Sequence, residues 1–212
     1  MLSIGINGQI VTLRSGYRQA GVSRFTEQMI RALQRRDTSD RYSVFLNDTA
    51  RGGFSDSANM RFHYTGLPAA RPAVRILWEQ ALLPALAARL DVLHCPMNVV
   101  PLLAPCPSVL TIHDLTFLRY PESFRPGRQR YQAAFTRFSA KRARHIMTDS
   151  ANTKQDVVEL LNVPPERIEV VYPGLDEGFQ QLPREETEAF RARKNLPEDC
   201  RGVRTLKAPL CL

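Results

Sequence analysis

The stretch HIMTDSANTKQDVVELLNVPPERIEVVY, residues 145–172, carries the pattern that indicates the fold of this chain. It opens with a short apolar run at 145–149 that is typical of a buried strand, and it closes with a second such run at 168–172. Between them, residues 152–161 place valine and leucine side chains at helical spacing. A strand, a helix and a second strand in this order are the unit of a parallel sheet, so the stretch predicts an α/β protein.

The same alternation recurs along the rest of the chain. Further strands are predicted at 3–11, 42–47, 60–64, 91–95 and 108–113, and further helices at 22–36, 78–89, 128–143 and 185–194. Ser150 and Asn152 are alternative N-caps for the helix at 152–161. We therefore expect a Rossmann-like open parallel sheet with helices on both faces, in which ligands bind at the carboxyl ends of the strands.

Composition restricts the class of protein. The 212 residues suffice for one ordinary domain. Their 43% hydrophobic and 24% charged residues indicate a globular protein and exclude a disordered or collagen-like chain. The cysteines form no CxxC pair, so we expect reduced thiols and no metal site at Cys95, Cys106, Cys200 and Cys211.

The location of the protein is predicted from the absence of two signals. The first residues, MLSIGIN, lack the basic segment and long apolar core of a signal peptide. The apolar runs are also far shorter than the roughly 20 residues of a spanning helix. We expect a cytoplasmic protein whose contact with the inner face of the cell membrane, where it occurs, is peripheral.

The positive charge is concentrated in one segment. The chain carries 29 basic and 21 acidic residues, a net charge of +8, and residues 123–148 contain seven of the basic residues and no acid. On the helix predicted at 128–143, Tyr131, Phe135 and Phe138 should face the sheet while the cations gather on another side. Those cations are either a solvated face or a surface for anionic membrane, acidic polysaccharide or lipid phosphate, and nucleic acid ranks last because no binding motif accompanies them. The candidate binding cations are Arg130, Arg137, Lys141 and Arg144.

Two histidines lie at predicted strand ends. The run VLTIHDL, residues 109–115, delivers His113 and Asp114 to the carboxyl end of a central strand. A histidine beside a carboxylate can exchange a proton or polarise a hydroxyl near neutral pH, and capping of a following helix is the alternative. His94 also ends a strand, and its alternatives are packing and catalysis.

A glycine-bearing loop at 13–21 precedes the first helix. Backbone amides at a helix N-terminus favour an anion such as phosphate, and Gly21 would allow close approach of a ligand. The loop matches neither the dinucleotide fingerprint nor the P-loop, so a plain turn is the alternative to a phosphate site.

Five motifs in order resemble a known family. They are GVSRFTE, DVLHCP, TIHDL, TDSANTKQD and IEVVYPGLD, which begin at residues 21, 91, 111, 148 and 168. Together they resemble the N-terminal half of group 1 (family four) glycosyltransferases of the GT-B fold, in particular bacterial mannosyltransferase-like members. The likeness runs from about residue 3 to residue 179.

The resemblance implies retaining transfer of a hexosyl group, mannosyl among the candidates, from a nucleotide-diphosphate sugar to a polysaccharide or lipopolysaccharide-type acceptor. No metal and no cofactor are implied, since the nucleotide sugar is the donor substrate. Gly21 would lend backbone amides to the donor diphosphate, and His113 would lie beside the transferred sugar. His113 and Asp114 are the expected catalytic residues, Asp114 also lining or supporting the cleft, and Ser150 and His94 would line it. A glycan or lipid-linked acceptor would bind mainly to this half of the enzyme.

The resemblance also divides the chain. Residues 1–180 would form the acceptor-side Rossmann-like domain, and residues 181–212 a linker with an aberrant tail where the family has its second domain. We therefore expect a truncated enzyme, inactive alone, that self-associates through the exposed interdomain face. Two other functions remain open: a noncatalytic module that binds anionic lipid or glycan through the basic helix, and a nucleotide-dependent oxidoreductase, which the missing glycine fingerprint disfavours.

Overall fold

A computed structural model describes residues 1–14, 21–66, 72–175 and 182–196. Within these residues, seven strands lie in one sheet, and every hydrogen-bonded pair of strands is parallel. The strands are β1 (Ser3–Gly8), β2 (Arg41–Leu46), β3 (Met60–Tyr64), β4 (Val92–Cys95), β5 (Ser108–Ile112), β6 (His145–Thr148) and β7 (Ile168–Val170).

The strand order is β3-β2-β1-β4-β5-β6-β7. The chain first moves outward from β1 to β3, and it then returns to the other side of β1 and continues to β7. The direction reverses between β1 and β4, the position at which open α/β sheets bind their ligands. This architecture confirms the predicted Rossmann-like parallel sheet.

The helices connect these strands. They are α1 (Val22–Arg36), α2 (Pro72–Ala81), α3 (Leu83–Ala87), α4 (Thr116–Arg119), α5 (Pro126–Arg142), α6 (Ala151–Leu161) and α7 (Arg184–Lys194). The single helix predicted at 78–89 is instead the pair α2 and α3. Pro84 lies in the first turn of α3, where its missing N–H costs no helical hydrogen bond, so a second helix starts there.

Two buried clusters lie on opposite faces of the sheet. Successive side chains of a strand point to opposite faces. Val44 of β2 accordingly packs in one cluster with Ile30 of α1. Phe45 packs in the other cluster with Trp78 of α2 and Ala140 of α5. Helix α1 thus covers one face, while α2, α3, α5 and α6 cover the other.

Helix α5 packs through small side chains, contrary to the sequence prediction. Phe138 was expected to face the sheet but is 40% exposed, and Tyr131 and Phe135 are only half-buried. The buried positions are Ala133, Thr136, Ser139 and Ala140. Small side chains allow the helix backbone to approach its neighbours closely, and this leaves the larger rings at the sides of the helix.

The chain divides into two compact units, Met1–Tyr172 and Pro173–Leu212. The first contains the whole sheet. The second contains α7, which ends at Asn195 in the left-handed conformation with φ of 51°. The predicted boundary between residues 180 and 181, and the tail at 197–212, lie outside the described residues. Among the described helices, none has the length and apolar character needed to cross a membrane.

Candidate active site

Polar side chains gather at the carboxyl edge of β4, β5 and β6. Strands β5 and β6 end at Ile112 and Thr148, which are paired in the register of the sheet. The next residues, His113 and Asp149, therefore leave the sheet side by side. Their side chains meet with His113 Nδ1 3.3 Å from Asp149 Oδ2. The parallel register thus builds a histidine–carboxylate pair from residues 36 positions apart.

The second ring nitrogen of His113 also faces an oxygen. Its Nε2 lies 3.2 Å from the carbonyl oxygen of Pro96, which follows β4. Both facing oxygens are acceptors, so the ring is the donor in a hydrogen bond to either of them. The His113 side chain is 12% exposed and that of Asp149 is 26% exposed. The pair is therefore held by the protein while one side remains open to solvent.

Helix α1 brings its first turn against this pair. The ring of Phe25 meets the ring of His113 edge to face, with centroids 4.9 Å apart. Gly21 is the N-cap of α1 and has φ of 60°, in the region that favours glycine. Neither a side-chain cap nor an acidic residue occupies the first turn of α1. The rest of the predicted phosphate loop, residues 15–20, lies outside the described part of the chain.

His94 lies behind the edge, inside the sheet. It is 8% exposed, and its Nε2 lies 2.8 Å from Thr111 Oγ1 on the neighbouring strand β5. Burial, reinforced by the charge of His113, lowers the pKa of His94 from 6.5 to about 4. The ring is therefore neutral at pH 7 and supports β5 from within, in keeping with the packing alternative. A role in lining the cleft stays a prediction.

Asp114 and Ser150 act locally on helix ends. Asp114 is exposed, and its Oδ1 accepts a hydrogen bond of 2.9 Å from the backbone N–H of Thr116 at the start of α4. Ser150 is the N-cap of α6, where its Oγ accepts from the N–H of Thr153 at 3.1 Å. Thr153 in turn donates through Oγ1 to the carbonyl oxygen of His113 at 3.1 Å. These caps tie the start of α6 to the end of β5.

A groove of about 330 Å³ adjoins the pair along the carboxyl edge. It runs between the start of α4 and the first turns of α6, and it offers carboxylate, amide and guanidinium groups together with one phenol ring. Tyr120 supplies that ring and is 56% exposed. The lining residues are Asp114, Leu115, Thr116, Arg119, Tyr120, Asn152, Thr153, Gln155 and Asp156.

Buried polar groups that the sequence analysis did not single out lie beneath the site, near the carboxyl end of β1. Asn7 donates through Nδ2 to Oε1 of Glu79 at 3.1 Å, and burial raises the pKa of Glu79. Gln9 is 2% exposed, and its side-chain amide has no hydrogen-bond partner among the described residues. Asp149 was also missed, although its place directly after a predicted strand was the available signal.

The four predicted binding cations lie outside this site. Arg130, Arg137 and Lys141 are exposed along α5, and Arg144 is exposed between α5 and β6. Because α5 runs back from the carboxyl edge to the start of β6, its last turn is at the amino edge of the sheet. Within the described ranges, no three histidine, cysteine, aspartate or glutamate side chains are grouped as metal ligands.

Solved structures share this fold. Anabaena Alr3699/HepE in complex with UDP superposes with a TM-score of 0.53 at 14% identity, and the match covers 92% of this chain and 50% of that protein. The same protein in complex with UDP-glucose gives a TM-score of 0.52 at 15% identity with the same coverage. At this identity the likeness shows the fold alone. The chain spans about half the length of these structures.

Sequence comparison identifies the family. The O-antigen chain mannosyltransferase RfbU of Salmonella typhimurium (strain LT2) is 31% identical over 85 residues, which is 38% of this chain and 22% of that protein. The profile of Glycosyltransferase Family 4 matches residues 20–179, well over half of the chain, and this range includes the His113–Asp149 pair and the whole of α1. The resemblance drawn from the five motifs is confirmed: the chain belongs to Glycosyltransferase Family 4.

Proposed function

We propose that this chain is the acceptor-side half of a retaining glycosyltransferase that moves a hexosyl group from a nucleotide-diphosphate sugar to a polysaccharide or lipopolysaccharide-type acceptor. The observation that carries the proposal is the His113–Asp149 pair, which lies at the carboxyl edge against the first turn of α1. Overall, an acceptor oxygen replaces the nucleoside diphosphate at the anomeric carbon, and the hydroxyl proton and the diphosphate are released.

The N-terminus of α1 is the proposed site for the donor diphosphate. The first backbone N–H groups of a helix have no acceptor within the helix, and they carry partial positive charge. In α1 neither a capping side chain nor an acid in the first turn competes for them. The chain enters the helix at Gly21, whose φ is 60°. Because glycine has no side chain, nothing at this position blocks an approaching anion.

His113 is the proposed catalytic residue beside the transferred sugar. Asp149 holds Nδ1, while Nε2 exchanges the carbonyl oxygen of Pro96 for a sugar hydroxyl when substrate binds. A ring fixed in this way holds the transferred sugar in one orientation relative to the diphosphate at the N-terminus of α1. Asp149 acts through His113 and is therefore a positioning residue. Asp114 and Ser150 shape the cleft through the helix ends that they cap.

The comparisons support the choice of donor and acceptor. The HepE structures contain UDP or UDP-glucose, and the RfbU relative is named as an O-antigen chain mannosyltransferase. We infer a nucleotide-sugar donor for this chain and a glycan or lipid-linked glycan acceptor. Most contacts to the nucleotide are assigned to a second Rossmann-like domain, since the chain spans about half of the HepE structures. No metal has a role in this scheme.

The test measures transfer of a radiolabelled hexosyl group by the complete polypeptide that contains this sequence, with UDP-glucose and GDP-mannose as donors and a lipid-linked glycan as acceptor. We expect His113→Ala to lower kcat/KM by about a hundredfold or more, as removal of a positioned donor does elsewhere. Asp149→Asn should lower kcat by roughly tenfold with little change in KM, because it loosens the ring without removing it.

His63→Ala is the matched control, because His63 stacks on Phe45 with ring centroids 5.4 Å apart and lies on β3. It should leave transfer unchanged. Wild-type turnover in His113→Ala would remove His113 from the mechanism. Failure of the polypeptide to bind or use any nucleotide sugar would instead favour the noncatalytic alternative, for which the cations of α5 are the supporting observation.

A further inference from the structure

The side-chain amide of Gln9 is enclosed without a hydrogen-bond partner. Gln9 directly follows β1 and is 2% exposed. Its Oε1 and its Nε2 are both buried, and neither bonds to a described residue. Gln80, by comparison, lacks a partner only for Nε2, because its Oε1 accepts from the N–H of Leu102 at 2.8 Å. A buried polar group left unpaired in a native fold normally has a function or a bound partner.

The polar groups around Gln9 bond to its backbone and not to its amide. Asn7 accepts through Oδ1 from the N–H of Gln9 at 3.3 Å, and it donates through Nδ2 to Glu79 at 3.1 Å. Asn47 donates through Nδ2 to the carbonyl oxygens of Gln9 and Val11, each at 2.7 Å. The backbone of the turn after β1 is therefore fixed. The side chain can turn toward a ligand without breaking a hydrogen bond.

Gln9 lies on the edge of the sheet that carries the candidate active site. Ile6 pairs with His94, and His94 pairs with Val109. Gln9 therefore follows β1 at about the level at which His113 follows β5. Only β4 lies between these two strands, so two strand spacings, roughly 10 Å, separate the two residues along the edge. This separation is short enough for one glycan ligand to contact both side chains.

The segment after Gln9 is tied to the first turn of α1. The N–H of Thr12 donates to Oγ of Ser23, a buried residue of α1, at 3.0 Å. The same turn carries Phe25, whose ring contacts that of His113. The fold thus links Gln9 to both groups that the proposed function uses, the N-terminus of α1 and His113.

The chemistry of an amide limits what can pair with it. Oε1 only accepts and Nε2 only donates, so a ligand that satisfies both atoms must donate and accept. An ionised phosphate oxygen would leave Oε1 unpaired, and an ammonium group would leave Nε2 unpaired. A sugar hydroxyl both donates and accepts. We infer that Gln9 binds a hydroxyl group of a sugar and is a specificity-determining residue of the proposed transfer, on which this inference rests.

Burial makes such a bond effective. An exposed amide gives up hydrogen bonds to water when it binds a ligand, and this exchange cancels most of the gain. The buried amide of Gln9 has no such bonds to give up. It therefore contributes more to binding than an exposed glutamine does, while it destabilises the free protein. Removal of the amide should change stability and affinity in opposite directions.

The experiment compares Gln9→Met with the wild type in the complete polypeptide that contains this sequence. Methionine keeps the unbranched shape of glutamine and removes both polar atoms. We expect the midpoint of thermal unfolding without substrate to rise by about 2 °C or more. KM should rise by about tenfold for one substrate, with little change in kcat. The substrate affected, the UDP-glucose or GDP-mannose donor or the lipid-linked glycan acceptor, identifies which sugar Gln9 binds.

Monodeoxy analogues of that substrate identify the hydroxyl group. The wild type should use the analogue that lacks the bound hydroxyl with kcat/KM lowered by about tenfold or more, because the buried amide is then left unpaired. Gln9→Met should use this analogue and the parent substrate almost equally, since it has no amide to leave unpaired.

Gln80→Met is the matched control, because it makes the same change at a glutamine whose Oε1 is bonded. It should lower the midpoint of thermal unfolding, since the N–H of Leu102 loses its acceptor. KM for donor and acceptor should stay at the wild-type values. Circular dichroism verifies that both variants are folded.

Three results would overturn the inference. The first is a lower midpoint of unfolding in Gln9→Met with unchanged KM values, which would assign a bound water to the amide. The second is an unchanged KM for both substrates whatever the stability. The third is equal discrimination against every deoxy analogue by Gln9→Met and the wild type.

A wild type that transfers no sugar would contradict the proposed function, and the inference about Gln9 is then tested by ligand binding. UDP-glucose, GDP-mannose or the lipid-linked glycan should raise the midpoint of unfolding of the wild type more than that of Gln9→Met. This result would support Gln9 as a sugar-binding residue without transfer. If none of the three ligands raises the midpoint of the wild type, the inference is overturned as well.

Discussion

Polar side chains at the two edges of the same sheet differ in whether they are bonded to one another. At the carboxyl edge, side chains are bonded to one another: His113 to Asp149, and Ser150 to Thr153. At the amino edge, Lys141, Arg142, Arg144 and Arg167 form no ion pair with the described residues. Arg142 and Arg167 donate to backbone carbonyl oxygens, and Lys141 and Arg144 are exposed to solvent. A network that is satisfied internally holds its members in one geometry, whereas exposed charge is balanced by water and salt. The first edge therefore suits chemistry on a small substrate.

The apolar side chains follow the same division. Leu110, in the middle of β5, is fully buried, whereas Leu103, five residues before β5, is 77% exposed. One leucine stabilises the fold, and the other is available to a partner. Three measurements of stability test this difference.

The largest effect is expected at the buried leucine. Leu110→Ala should lower the free energy of unfolding by about 2–5 kcal/mol, because it removes buried methyl groups and leaves a cavity between sheet and helices. Leu103→Ala, its matched control, should change the free energy by less than about 0.5 kcal/mol. Urea denaturation of both variants measures the difference. A similar loss in both would mean that residues 102–103 contribute to the core despite their exposure.

The next effect concerns pH and His94. Its pKa is about 4 in the folded protein against an ordinary value of 6.5, so between these values the unfolded chain binds a proton that the folded chain does not. Stability should therefore be fully present above pH 6.5 and fall as the pH drops toward 4, by on the order of 3 kcal/mol.

Thermal unfolding across this pH range checks the expectation. His94→Gln should flatten the dependence, and the difference from the wild type removes the contributions of other groups such as Glu79. His63→Gln, at an exposed position on β3, should keep the wild-type slope. A wild-type slope in His94→Gln would show that the buried ring does not control the acid sensitivity.

The smallest effect distinguishes two candidate caps. Ser150 accepts a hydrogen bond from the N–H of Thr153, whereas Asn152 lies inside α6. Ser150→Ala should lower the free energy of unfolding by about 1 kcal/mol, and Asn152→Ala should leave it nearly unchanged or raise it slightly. Chemical denaturation measures both. The reverse order would place the start of α6 two residues later and would loosen the link between α6 and the end of β5.

The sequence predicted every strand of the sheet, with ends that differ by at most three residues. It also predicted α1 at Val22–Arg36 and placed α6 within one residue. It failed at two helices on the same face. The apolar run at 78–89 concealed a break at Pro84, and the aromatic spacing in α5 suggested a buried side that small residues occupy instead. The spacing of apolar residues indicates which side of a helix is apolar, but it does not indicate how closely the helix backbone approaches the sheet.

The candidate site was predicted only in part. His113 was found because a histidine at the end of a buried run lies where parallel sheets bind ligands. Asp149 was not assigned a role, because its meeting with His113 depends on the pairing of Ile112 with Thr148. Gln9 was missed for a similar reason: only the folded chain shows that its amide is enclosed without a described partner.

The α/β alternation, the family and the acid-free basic segment can be read from the sequence, because these are properties of local order and composition. Which residues meet and which stay exposed follows only from the folded chain. Strand register brought His113 to Asp149, and close packing of α5 left Phe138 in solvent. Both outcomes depend on contacts between segments distant in the chain. Such contacts are set by the cooperative packing of the whole sheet with its helices, which no local pattern encodes.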